Sequence, residues 1–203
     1  MEPDETLSFL RAHPDYISLH GIEGIRIDLR YASENNFMGR NVYGGFNEAF
    51  LHKVAAEMLR EASILLRRER PGWSLLVLDA LRPLSRQRIL WAHVEGTEQE
   101  AYVAKPERGS VHNFGLAVDL TCMDETDGIV DMGSAFDCFQ LISQPQLEER
   151  FLATGELGRW QWENRLVLRR AMTGAGFLQL SHEWWHYDAL PREKIRAGFI
   201  LIA

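Results

Sequence analysis

The chain has only two cysteines, Cys122 and Cys138, in 203 residues. That is too few for a disulfide framework, so the core must hold itself together by packing. The pair reads as two buried thiols rather than a bridge, because free cysteine behaves as a small hydrophobe. A cationic excess is also missing. The formal charge of −7 disfavours a nucleic-acid partner or an anionic membrane surface, but is compatible with a small substrate that carries an amino group. No apolar stretch is long enough to span a bilayer, and Ser74-Leu75-Leu76-Val77-Leu78 falls far short. Met1-Glu2-Pro3-Asp4-Glu5 is acidic where a secretory leader would be basic, with no apolar segment behind it, so a cytoplasmic location is expected. Internal repeats, low-complexity tracts and flexible linkers are absent as well.

The remaining composition, 46% hydrophobic and 25% charged, is that of a soluble globular chain. The length suits one domain over residues 1–203, with 1–22 an N-terminal extension of it. Ile25 to Tyr31 alternates apolar and polar residues as a half-buried strand does, and Tyr31 to Gly45 reads as a long loop. From Glu48 to Arg70, apolar residues from Leu51 to Leu66 recur at helical spacing, with Asn47 as N-cap and Pro71-Gly72 as the stop. Leu75–Asp79 is a short strand. Ser85 is placed to cap a helix that runs to about Glu95. Further strands fall near Gly115–Thr121 and Leu178–Tyr187, and Trp160–Thr173 is an amphipathic helix ending at Gly174. Strands and helices mix without regular alternation, which predicts an α+β fold, a mostly antiparallel sheet with flanking helices.

Chemistry concentrates in a few places. His112 and Asp119 are seven apart, and extended backbone would separate them by about 23 Å. For both to reach one ion the chain must reverse between them, and Gly115 permits that. Imidazole plus carboxylate suits zinc, although such a pair also occurs as a hydrogen-bonded structural contact. In Ser181-His182-Glu183-Trp184-Trp185-His186-Tyr187, at least one tryptophan belongs to the core. Glu183 and His186 share a face on a helical turn but not on a regular strand, so a strand here needs a bulge or twist. The bland alternative is a surface Glu and a core His. Together His112, Asp119 and His186 supply three ligands and leave a fourth position for water, the pattern of a catalytic zinc site. Glu183 is then a spare carboxylate able to act as base. Apolar neighbours would raise its pKa and a metal would lower it. Arg82, between a buried strand and Pro83, could stabilise an oxyanion, or simply pair with Asp79.

In combination these residues resemble the VanX-type D-alanyl-D-alanine dipeptidases, zinc D,D-peptidases that share a fold with the Hedgehog signalling domain. The resemblance rests on Tyr31-Ala32-Ser33, Asn36-Phe37-Met38-Gly39, Asp79 with Arg82-Pro83, and Ser110-x-His112-x-x-Gly115-x-Ala117-x-Asp119. It continues through Met132-Gly133-Ser134-x-Phe136-Asp137, Gly176-Phe177 and Glu183-Trp184-Trp185-His186-Tyr187. It implies one zinc per chain on His112, Asp119 and His186, with Glu183 as base and Arg82 at the oxyanion. It also implies that Asp137, Ser110 and Tyr31 line a dipeptide pocket, with Asp137 near the substrate ammonium and Asp79 orienting Arg82 or a ligand imidazole. Ala80-Leu81 stands where the family commonly has Gly-Tyr. Tyr43 lies out of register with a tyrosine often found beyond the Asn-Phe-x-Gly loop.

The activity so implied is hydrolysis of D-alanyl-D-alanine or a similar D,D-dipeptide, with a small dipeptide as partner and no nucleic acid or membrane. Two alternatives stay open: a D,D- or L,D-carboxypeptidase acting on longer peptidoglycan peptides, and a non-catalytic binding domain that keeps zinc structurally. Oligomeric state has no signature in the sequence.

Overall fold

A five-stranded sheet organises the computed structural model, which describes residues 3–203. Its order is β2 (Ile25–Ile27), β4 (Ser74–Asp79), β5 (Ala117–Met123), β7 (His186–Asp188) and β6 (Leu178–Gln179). The β2–β4 pair is parallel and every other neighbour is antiparallel. β1 (Tyr16–Ser18) and β3 (Phe50–His52) form a separate antiparallel pair. The helices are α1 (Pro3–Ala12), α2 (Lys53–Glu69), α3 (Leu84–Val94), α4 (Glu148–Thr154), α5 (Arg159–Gly174) and α6 (Arg192–Gly198). The α+β expectation therefore holds, with β2 as the one parallel exception. No helix among the described residues is long and apolar enough to cross a membrane.

α2 presents Ala55, Ala56, Leu59, Ala62 and Leu66 to the core, an apolar stripe at helical spacing, and packs against α5 and β4. Its start differs from the sequence reading. Leu51 belongs to β3, and the helix is capped by His52, whose Nδ1 accepts from the Val54 N–H at 3.3 Å. Pairing of residues 50–52 with 16–18 takes that stretch away from the helix, a tertiary contact overriding local periodicity. Similarly, α3 begins at Leu84 behind Pro83 and not from a Ser85 cap. Gly174 is still helical, and the left-handed residue is Gly176 at φ 97°. The strand expected over 25–31 stops at Ile27, and Arg30–Ala32 forms a 3-10 turn. Cys122 is buried and Cys138 half-buried, and both are free thiols.

Register positions the polar residues. β4 pairs Val77 with Leu120 and then Asp79 with Asp119, so Leu78 is bulged out. β5 pairs Asp119 with His186 on β7. Asp79, Asp119 and His186 thus form one rung across three strands, and directly opposed residues share a face. Ahead of β5, Val111–Phe114 forms a 3-10 turn that ends at Gly115 in the left-handed region, φ 69°. A Cβ on Gly115 would stand 3.0 Å from the His52 backbone N and 3.1 Å from Leu81 Cδ1. Gly115→Ala is expected to cost about 1–2 kcal/mol for the left-handed backbone alone, lowering Tm by about 2–8 °C. A thermal melt with unchanged Tm would show that the turn does not need glycine.

Candidate metal centre

The 3-10 turn presents His112. Its cap is reciprocal: Ser110 Oγ accepts from the His112 N–H at 3.4 Å, and the Ser110 N–H donates to Asn113 Oδ1 at 2.7 Å. Gly115 reverses the chain, so the imidazole folds back over β5. His112 Nδ1 donates to the Ala80 carbonyl at 2.7 Å, which leaves Nε2 facing Asp119 Oδ2 at 3.3 Å and His186 Nδ1 at 3.2 Å. His186 Nδ1 lies 2.9 Å from Asp119 Oδ1, while its Nε2 donates to Asp188 Oδ1 at 2.8 Å. One donor atom from each of His112, Asp119 and His186 lies within 4.8 Å of the others, and all three residues are buried.

This donor set fits a divalent metal ion. It offers two imidazole nitrogens and one carboxylate, and each ring has its outer N–H engaged, by Ala80 and by Asp188 respectively, which fixes the tautomer. The electrostatics point the same way. Burial would lower the His186 pKa, but Asp188 and Asp119 outweigh it and lift the imidazole to about 10. Burial likewise opposes ionisation of Asp119, yet the two histidines hold its carboxyl far below the usual range. The pocket therefore keeps a positive charge between its carboxylates.

Glu183 stands beside the trio, with Oε2 3.9 Å from His186 Nδ1. The expected strand over 178–187 is broken: residues 180–185 form a loop between β6 and β7, with Trp184 and Trp185 both buried. Glu183 sits on that loop and His186 opens β7, so no bulge is needed for them to meet. Burial lifts the Glu183 carboxyl to about 7.

Arg82 is buried and held on several sides. Its Nε and Nη2 donate to Asp79 Oδ2 at 2.9 and 2.6 Å, and Nη1 donates to Gln87 Oε1 at 2.8 Å. The guanidinium carbon lies 5.0 Å from the centre of the Tyr31 ring, a cation–π contact. Nη2 remains 3.9 Å from Asp119 Oδ2, at the edge of the trio. Tyr43 donates to Asp79 Oδ1, and Gln87 passes its own N–H to the Ala104 carbonyl at 2.7 Å. Asp79 therefore orients Arg82 rather than sitting in the trio, although its Oδ2 is 3.7 Å from His112 Nδ1.

Asp137 takes an unusual left-handed backbone at φ 59°. Its Oδ1 accepts from the Tyr31 hydroxyl at 3.0 Å, and its enclosed Oδ2 has no hydrogen-bond partner. Burial, then Asp119, push its carboxyl well above the usual range. Tyr31, Ser110 and Asp137 line the same cavity of about 470 Å³ as the trio, Glu183 and Arg82. Every residue singled out in the sequence except Asp79 thus lines one space, and Asp79 lies buried behind Arg82. Asp188 and Gln87 were not foreseen. Asp188 carried a signal, being two residues beyond His186 on one strand face. Gln87 is a polar residue on the buried side of α3.

Comparison with known proteins agrees with this geometry. A family model described as D-ala-D-ala dipeptidase matches residues 16–199. The D-alanyl-D-alanine dipeptidase of Escherichia coli (strain K12) is 34% identical over 169 residues, covering 83% of this chain and 80% of that one. That of Enterococcus faecalis (strain ATCC 700802 / V583) is 33% identical over 187 residues, 83% and 88% of the two chains. A third, from Enterococcus faecium, is 31% identical over 186 residues, 82% and 86%.

Asp119→Ala is expected to abolish stoichiometric binding of a divalent ion, measured by plasma mass spectrometry on dialysed protein. Asp188→Ala, which releases the outer nitrogen of His186 and the Nε of Arg192, should weaken metal affinity by about 10–100-fold in a chelator competition. Wild-type affinity in the second variant would remove Asp188 from the centre.

Proposed function

The chain belongs to the family described as D-ala-D-ala dipeptidase, and we propose that it is a zinc enzyme hydrolysing D-alanyl-D-alanine, or a similar D,D-dipeptide, to free D-amino acids. The observation that carries this reading is the meeting of a buried His-Asp-His group with Glu183 and Arg82 on one cavity. A structural metal site needs neither of the last two.

Zinc held by His112, Asp119 and His186 would supply Lewis-acid polarisation of the scissile carbonyl and a more acidic attacking water. Glu183, beside the trio but outside it, takes the proton from that water and returns it to the departing amine. Arg82, pinned by Asp79, Gln87 and Tyr31, offers Nη2 to the negative charge that grows on the carbonyl oxygen. Because those contacts already exist, the guanidinium needs no reorientation during reaction. Asp137 has one carboxylate oxygen held by Tyr31 and the other unpartnered, an arrangement suited to a substrate ammonium. Ser110 lines the pocket while its hydroxyl secures the turn that carries His112.

One observation keeps a carboxypeptidase acting on longer peptides as the second reading. Asp137 also lines a neighbouring cavity of about 720 Å³. The amino end is therefore bounded by a side chain rather than by solid core.

Glu183→Ala should retain its metal and lose at least about a hundredfold in kcat on D-alanyl-D-alanine, the low end for general acid–base catalysis; near-wild-type turnover would remove the base assignment. N-acetylation of the dipeptide separates the two readings. The dipeptidase should discriminate strongly against the acetylated substrate, because its ammonium is gone, whereas comparable turnover of both forms favours the longer-peptide reading.

A further inference from the structure

One buried cation has no part in the chemistry proposed above. Arg165 on α5 is 1% exposed, and burial lowers its pKa despite the neighbouring Glu148, so enclosing it costs solvation. Its Nε donates to the Met132 carbonyl at 2.6 Å, Nη1 to the Ile142 carbonyl at 2.9 Å and Nη2 to Ser134 Oγ at 3.1 Å. These acceptors bracket Asp137 in the chain. A single guanidinium therefore clamps both ends of the segment that carries Asp137, using the planar fork of donors that lysine lacks.

The Ser134 hydroxyl reaches the other loop of the site. Its Oγ also accepts from Trp184 Nε1 at 2.9 Å. With both lone pairs taken, its proton is directed to Ser143 Oγ at 3.0 Å. Trp184 is held at two further points. Its backbone N–H donates to the Ser143 carbonyl at 3.0 Å, and its carbonyl accepts from Gln179 Nε2 at 3.1 Å. Gln179 accepts from Arg169 Nε at 2.6 Å, and Arg169 Nη2 donates to Glu148 Oε2 at 2.7 Å. Glu148 Oε1 in turn accepts from Arg165 Nη1 at 3.4 Å, so the path starts and ends at Arg165. The Trp184 N–H belongs to the same planar peptide unit as the Glu183 carbonyl, and fixing it fixes the backbone from which the Glu183 side chain rises. Arg165, Ser134 and Ser143 do not line the catalytic cavity; they bear on it through the two loops they join.

We propose that Arg165 and Ser134 are positioning residues for hydrolysis, setting the loop of Glu183 against the segment of Asp137 so that the base meets the attacking water at a fixed distance from the substrate ammonium. The assignment rests on Glu183 as base and deepens that reading.

The test measures turnover of D-alanyl-D-alanine per bound metal, well below the melting temperature of each variant. Ser134→Ala removes the acceptor shared by Arg165 and Trp184 but leaves the Met132 and Ile142 carbonyls on Arg165. It should lower kcat about 10–100-fold with little change in KM or metal content, as a displacement of about 1 Å can. Arg165→Met, which also frees the Asp137 segment, should raise KM as well, and an unmoved KM there overturns the Asp137 half of the proposal. In a Glu183→Ala background Ser134→Ala should cost nothing further, because the group it positions is gone. An unchanged kcat with a lowered Tm in Ser134→Ala assigns the clamp to the fold alone and overturns the proposal, as does an equal loss in both backgrounds. Should Arg165→Met fail to fold, Ser134→Ala in the two backgrounds decides. A fully active Glu183→Ala removes the base and the positioning role together, whereas an inactive Glu183→Ala beside a fully active Ser134→Ala removes the positioning role alone.

Discussion

Negative charge enclosed in the sheet governs the architecture of this protein. Asp79 and Asp119 are paired directly across β4 and β5, where like charges repel, and both are buried, where an unpaired carboxylate is costly. The fold answers with two cations. Arg82 neutralises Asp79 through two hydrogen bonds to one oxygen. Asp119 faces two imidazoles, and positive charge rests on His186, whose pKa is lifted to about 10 by its carboxylate neighbours. A proton and a divalent ion are thus alternative answers to one electrostatic deficit.

The bulge at Leu78 is what makes the rung possible. In unbroken register Leu78 would lie opposite Asp119, and Asp79 would be displaced by one residue, turning to the other face. Arg82 would then lose the carboxylate that orients it. The bulge, the left-handed Gly115 and the loop before His186 are three local irregularities: the last two deliver His112 and Glu183 to the cavity, and the bulge sets Asp79 behind Arg82, which lines it. Irregular backbone beside a functional site commonly serves such a purpose.

Much of this was legible in the residues, and for identifiable reasons. The need to reverse between His112 and Asp119 follows from backbone length alone, and Gly115 was the one residue that allowed it. The convergence of Glu183 with His186 was legible as a pair but not as geometry. Period-two reasoning assumed a continuous strand, whereas the burial of both Trp184 and Trp185 draws the chain into a loop. The elements that sequence reading missed, α1 and the β1–β3 pair among them, are short and held by distant contacts. Three residues of strand at 50–52 cannot announce themselves when the surrounding pattern is helical. Asp188 and Gln87 escaped because their importance lies in what they hold, not in their own chemistry.

The case for catalysis over a structural metal turns on energy that the protein expends without gain in stability. A structural site closes its coordination and satisfies its neighbours. Here Glu183 is largely shielded from water, its side chain 13% exposed, and burial raises its pKa to about 7. Asp137 adopts a strained backbone with one oxygen unpartnered, and Arg82 is a buried guanidinium at the edge of the trio. Replacing such groups with well-packed apolar residues is often neutral or stabilising in other proteins. Their presence around one small cavity is therefore hard to account for as packing. It is what a site requires when it must exchange a proton, bear a transient negative charge and hold a cationic terminus in a single bound molecule.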